Sequence, residues 1–167
     1  LAMKVIGPVH KSDVGGVALN ISDEETLLEK FRHMMTIPQT TAILMQPMLS
    51  GTQIFIGAKR EGNFGHLILC GLGGIFVETL KDINYSLSPV SREEADEMIR
   101  TLRSYRILEG TRGQEGVNIP MFSEAVRRVS ALCQAAPEIF EMDINPLMAG
   151  TRQITAVDAR IRIEKER

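Results

Sequence analysis

Residues 4–17 read KVIGPVHKSDVGGV, and their order of apolar, polar and glycine positions sets the architecture. Residues 1–6 (LAMKVI) are apolar apart from Lys4, and Gly7-Pro8 ends that run, which predicts a strand closed by a turn. Residues 9–13 form a short polar loop, and Val14-Gly15-Gly16-Val17 leads into an alternating segment through Asn20. A strand, a glycine-containing turn and a second strand follow one another with no helix between them. The chain therefore begins with antiparallel pairing.

Working outward, Ser22-Asp23-Glu24-Glu25 has capping-box spacing, with Ser22 as N-cap and Glu25 reaching back. The helix behind it carries Leu27, Leu28, Phe31, Met34 and Met35 at helical intervals. Three strands are expected next, at 41–48, 53–59 and 67–72, broken by Pro47, Gly51 and Glu61-Gly62-Asn63. A short strand at 85–87 precedes a second capping box, Ser91-Arg92-Glu93-Glu94, and a helix to about Arg103. Residues 110–120 are polar, residues 121–136 read as a helix stopped by Pro137, and strands close the chain at 139–144 and 154–161. Strands in runs with single helices inserted predict an α+β fold with a largely antiparallel sheet and flanking helices. Residues 164–167 (EKER) read as a solvated tail.

Composition excludes several classes. Among 167 residues, 44% are apolar and 24% charged, with a formal net charge of −2, so neither nucleic acid nor an anionic membrane surface is an expected partner. No apolar run approaches the length of a membrane span. Cys70 and Cys133 are far apart and read as reduced buried thiols, which suits the cytoplasm. The chain opens inside a strand, which reads as a piece of a longer polypeptide.

Two groups of residues could carry chemistry. An ammonium group in an apolar strand is costly without a partner, so Lys4 is either an edge lysine that snorkels to water or a lysine aimed at a ligand phosphate. Beside it, the loop with His10, Lys11, Ser12, Gly15 and Gly16 offers a cation, hydroxyls and backbone amides that glycine lets approach phosphate oxygens. At the other end, Glu141-Met142-Asp143-Ile144-Asn145-Pro146-Leu147 puts Glu141, Asp143 and Asn145 on one strand face. Thirteen residues after Asn145, Asp158 lies in the apolar Ala156-Val157-Asp158-Ala159. Adjacent strands presenting oxygen ligands suit Mg²⁺ bound with phosphates. The other reading is that Asp143 and Asn145 cap a turn at Pro146.

The succession KVIGPVHKSDVGGVALN, LMQPM, GAKREGNFGHLILCGLGGIFVE, DINPL and AVDARI resembles the ATP-grasp domain of ADP-forming acyl-CoA synthetases, over essentially the whole chain and in family order. It is also similar to the matching domain of succinyl-CoA synthetase β subunits and of fused protein acetyltransferases. The resemblance implies an ATP-grasp domain over 1–163, without the small subdomain that normally precedes the Lys4 strand. It implies ATP or ADP with Mg²⁺ as cofactors. Lys4 would contact nucleotide phosphates, and Lys11, Gly15 and Gly16 would belong to a phosphate-covering hairpin. Gln46, Pro47 and Met48 would form the adenine-reading hinge, and Asn145 and Asp158 the metal pair with Asp143 close by. Glu78 would lie towards the site visited by a phosphohistidine. One departure concerns Gln53, which stands where the family usually has a glutamate.

The reaction implied is reversible: acyl-CoA, phosphate and ADP give free acid, CoA and ATP. The implied partners are CoA-binding domains, or an α subunit, that carry the phosphohistidine and bind the acyl-CoA and free acid; an oligomer is expected. The alternative is a nucleotide-responsive regulatory domain of a fused acetyltransferase.

Overall fold

A computed structural model describes residues 1–8, 14–74, 81–111, 113 and 115–164. The chain divides into two compact units, Leu1–Leu49 and Ser50–Arg167.

The first unit is a three-stranded antiparallel sheet, β2-β1-β3, with one helix. β1 (Ala2–Ile6) is the middle strand, between β2 (Val17–Ala18) and β3 (Ala42–Gln46). Met3 and Val5 point to one face and, with Ile21, Met34 and Ile37, form the core under α1 (Glu24–Met35). The second strand of the predicted hairpin is thus much shorter than the alternating segment 14–20. Asp23, not Ser22, caps α1, accepting from the Thr26 N–H at 2.7 Å and the Thr26 hydroxyl at 2.9 Å. Either residue is a good N-cap, and the aspartate side chain satisfies the orphan amide here.

The second unit is a sheet of order β6-β5-β4-β7-β8, with β9 also paired to β7. Its strands are β4 (Thr52–Arg60), β5 (His66–Leu72), β6 (Ile83–Leu87), β7 (Ile139–Ala149), β8 (Ile154–Ala156) and β9 (Arg160–Ile163), and every pairing is antiparallel. Ile54, Ile56 and Ala58 of β4 and Ile68, Cys70 and Leu72 of β5 project to the same side by period-two alternation. On that side they meet Ala95 and Ile99 of α2 (Arg92–Arg100), Leu108 of α3 (Tyr105–Glu109), and Phe122, Val126 and Cys133 of α4 (Ile119–Ala135). The Ser91 capping box forms as the spacing predicts, whereas α2 stops at Arg100 instead of Arg103. α3 lies between the expected helix and the polar stretch 110–120, in residues assigned to no element, and its five residues are too few to show helical periodicity.

The end of the chain departs furthest from expectation. β7 does not stop at Ile144 but runs through Pro146 to Ala149, and the expected strand 154–161 is split into β8 and β9. The register between β4 and β7 shifts between Ile54 and Ile56, where Leu147 and Ile144 are the partners. One extra β7 residue therefore bulges at Asn145-Pro146, a place where a strand tolerates a proline that cannot donate. Glu164 is tied back by its N–H to Glu138 O at 2.9 Å, and the rest of the expected tail, 165–167, lies outside the described residues. Among the described residues, no helix is long and apolar enough to cross a membrane.

Candidate functional site

In the first unit, Lys4 occupies the central strand and is buried. It is not the snorkelling edge lysine. The register sets Lys4 opposite Leu44 and Ala2 opposite Gln46, so Lys4, Leu44 and Gln46 share the sheet face turned away from α1. On that face the Gln46 Oε1 is buried with no hydrogen-bond partner among the described residues. Pro47 and Met48 continue the chain beyond the end of β3. Gly15 has φ of +70° and open space around its Cα, and Gly16 O accepts from the Val5 N–H at 2.9 Å, which fixes the hairpin base to β1. Lys11 lies outside the described residues.

In the second unit, the sheet face opposite the helices gathers the polar residues singled out near the end of the chain. Met142 is buried and Ile144 packs against the core, so Glu141, Asp143 and Asn145 point the other way, as alternation requires. Asn145 does not cap a turn at Pro146. Its Oδ1 accepts from the Gly74 N–H at 3.0 Å, and Gly74 stands at φ +63° against the Gln53 side chain. A Cβ placed on Gly74 would come within 2.0 Å of Gln53 Oε1. Gln53, Gly74 and Asn145 are therefore one cluster, and Gly73, next to Gly74, donates its N–H to Gln53 O at 2.8 Å. The spacing of the glycine pair gave no hint that it would meet Asn145, because the contact spans 71 residues.

Asp158 is exposed in the break between β8 and β9, not in the middle of an apolar strand. The hairpin nevertheless brings it to the cluster. Leu147 pairs with Ala156, Val157 N–H donates to Pro146 O at 3.0 Å, and Asp143 pairs with Arg160. Residues 157–159 thus lie alongside 144–146. Electrostatics report the same proximity: loss of hydration raises the Asp143 carboxyl above its usual range, Glu141 raises it further, Arg160 opposes, and Asp158 adds to the rise. Arg160, which sequence reasoning missed, is the cation that partly offsets this crowding. Among the described residues there is no group of three or more His, Cys, Asp or Glu arranged to hold a metal. Two carboxylates and an amide oxygen are donor types that suit Mg²⁺, which commonly takes one or two protein carboxylates and completes its shell with phosphate and water. Glu78 lies outside the described residues. A cavity of about 850 Å³ opens beside Gln53, lined by Ser50, Thr111 and Glu115 and floored by Leu72 and Ala149.

The family model described as "ATP-grasp domain" matches residues 1–163. The chain is 39% identical over 171 residues to the β subunit of acetate–CoA ligase [ADP-forming] I from Pyrococcus furiosus, covering 96% of this chain and 74% of that one. It is 37% identical to acetate–CoA ligase [ADP-forming] I from Archaeoglobus fulgidus, covering 99% of this chain but only 26% of that longer one. Its backbone superposes, with a TM-score of 0.86 and 35% identity, on the Ca. Korarchaeum cryptofilum dinucleotide-forming acetyl-coenzyme A synthetase 1. That structure holds coenzyme A and Mg-AMPPCP, with its phosphohistidine segment pointing towards the nucleotide binding site; 98% of this chain and 76% of that chain are covered.

Proposed function

The chain belongs to the ATP-grasp family and is homologous to the ATP-grasp part of ADP-forming acetate–CoA ligases, and on that premise we propose that it performs their nucleotide half-reaction. It spans about three-quarters of the β subunit and about a quarter of the longer ligase, so acyl transfer belongs to partner domains or subunits. In this reading, residues 1–163 form one ATP-grasp portion that works in the cytoplasm. A phosphoryl group passes between the nucleotide and a histidine nitrogen of the partner: the bond to the ADP oxygen breaks as the bond to nitrogen forms, and the reverse regenerates ATP.

The observation that carries this reading is the juxtaposition of Asp143, Asn145 and Asp158 on the β7–β8–β9 hairpin. These residues would hold Mg²⁺, which when bound neutralises phosphate oxygen charge. The Lys4 ammonium, placed by the central strand β1, compensates charge on the nucleotide phosphates, since catalysis of phosphoryl transfer is mostly positioning and electrostatics. The Lys11, Gly15 and Gly16 hairpin covers those phosphates, and Gln46, Pro47 and Met48 read the adenine edge. Gln53 accepts from or donates to the ribose, and the role assigned to Glu78, outside the described residues, is towards the phosphohistidine.

The test is Asp158→Asn. Mg-dependent binding of the ATP analogue AMPPCP, measured by calorimetry, should weaken at least about tenfold, while adenosine affinity and folding change little. Unaltered Mg-dependent binding in this variant would overturn the metal assignment. A second reading, a regulatory nucleotide sensor, draws support from Gln53, which brings no charge where the family usually has a carboxylate. It predicts Mg-nucleotide binding with no phosphorylation of a phosphohistidine partner.

A further inference from the structure

On the helix side of the second unit's sheet, away from Gln53 and Asn145, a cavity of about 420 Å³ lies between α2 and α4. Its size is within the range of small-molecule sites. One wall is the i, i+4, i+8 stripe Arg92, Asp96 and Arg100 of α2; the other carries Ser123, Glu124 and Arg127 of α4. The Val90 N–H bond to Ser130 Oγ, 2.9 Å, fixes the start of α2 against the middle of α4.

Three features of this groove bear on a ligand. Arg127 pairs with Glu124 at 2.9 Å, a carboxylate that Arg128 shares and that Arg92 also reaches electrostatically, while exposed Arg92 and Arg100 make no close ion pair among the described residues. Arg92 occupies the first position of α2, where the helix dipole disfavours a cation. Ser123 lines the cavity, is only 3% exposed, and its hydroxyl has no hydrogen-bond partner among the described residues, its own helix's carbonyls included. A buried hydroxyl is nearly always paired, so an absent acceptor is implied.

We propose that this groove binds a small monocarboxylate with an apolar body. Guanidinium forks match a carboxylate in two-point geometry, and the Ser123 hydroxyl supplies a further donor. The carboxylates of Asp96 and Glu124 in the same walls repel a dianion, which selects a carboxylate over a phosphate ester. Ile119, Pro120 and Tyr105 close one end of the groove and take the apolar part of the ligand. The site is independent of the nucleotide reading, since it uses none of the same residues.

The experiment is a titration of the intact isotope-labelled chain with benzoate, followed by amide chemical shifts. Saturable shifts confined to α2 and α4 are expected, with affinity at least fivefold weaker in Arg100→Gln and in Ser123→Ala. Benzylamine, the same ring with a cation, should not bind, and inorganic phosphate should bind more weakly than benzoate. Should Arg100→Gln lose its fold, Arg92→Gln takes its place with the same expected weakening. Absence of saturation, shifts centred on Gln53 and Asn145, affinity indifferent to the variants, or phosphate or benzylamine binding as tightly as benzoate would each overturn the proposal.

Discussion

The Asp143 carboxyl shows how the site trades stability for charge. Its ordinary value is raised by lost hydration, then by Glu141, with Arg160 opposing and Asp158 reinforcing. A carboxyl whose folded value is raised holds its proton more tightly when folded. It therefore favours folding at acid pH, and that advantage is lost as pH rises through the folded value. In EDTA, Asp143→Asn should be more stable than the parent at pH 7 to 8, by about 1 kcal/mol or less after solvent screening. The difference should vanish below about pH 3, where the unfolded carboxyl is also protonated. Urea midpoints across this range check it, and a parent that gains on the variant with rising pH would contradict it. The thiols make a second residue-scale case. Burial pushes Cys70 up to about 12 and raises Cys133, and both are essentially inaccessible. A disulfide reagent at pH 8 should label neither in the native chain and both in denaturant; native labelling within minutes would show that the core opens.

Among the elements, the glycines separate conformation from space. Gly15 and Gly51 both have positive φ, +70° and +143°. A Cβ on Gly15 meets nothing within 4 Å, whereas one on Gly51 would sit 2.6 Å from Ala149 O and 3.0 Å from Ala149 C, backbone atoms of β7 that cannot swing aside. Gly15→Ala should thus cost about 1–2 kcal/mol, the penalty of a left-handed alanine. Gly51→Ala should cost about 3 kcal/mol or more, adding the clash. Thermal melts decide it, and equal losses would mean that Ala149 yields. Elements with strong local signals were legible in the sequence: the Ser91 capping box, the strands at 53–59 and 67–72, and the oxygen face at 141, 143 and 145. What escaped was set by contacts distant in sequence. Pro146 reads locally as a breaker, yet the bulge lets β7 continue through it. Asp158 reads as an apolar-strand carboxylate, yet it lies in the gap between β8 and β9. The Asn145–Gly74 bond has no local signature at all.

For the whole molecule, ligand linkage supplies the prediction. A protein that binds Mg-nucleotide only when folded gains about 2.7 kcal/mol of stability at one hundred times the dissociation constant. Mg-ATP should therefore raise the unfolding midpoint by several degrees, ATP with EDTA by less, and Mg²⁺ alone by little. Identical shifts with and without Mg²⁺ would separate nucleotide binding from the Asp143, Asn145 and Asp158 cluster. The family assignment itself was legible because its motifs are contiguous and in order along the chain, from HKSDVGGV to AVDARI.

The bulge in β7 has an evolutionary corollary. Because one residue is added at Asn145-Pro146, the strand changes phase there: Met142 and Ile144 face the helices before it, Leu147 and Ala149 after it. The strand is in effect two strands spliced out of step, one tuned for chemistry and one for packing. Losing a single residue at the splice would force a choice between turning Asp143 inward and turning Leu147 and Ala149 outward. Substitutions, by contrast, can alter the donor face while the packed half holds its place. The hairpin is therefore intolerant of changes in length yet permissive of changes in side chain, the condition under which ligand preference can drift while the scaffold stays fixed.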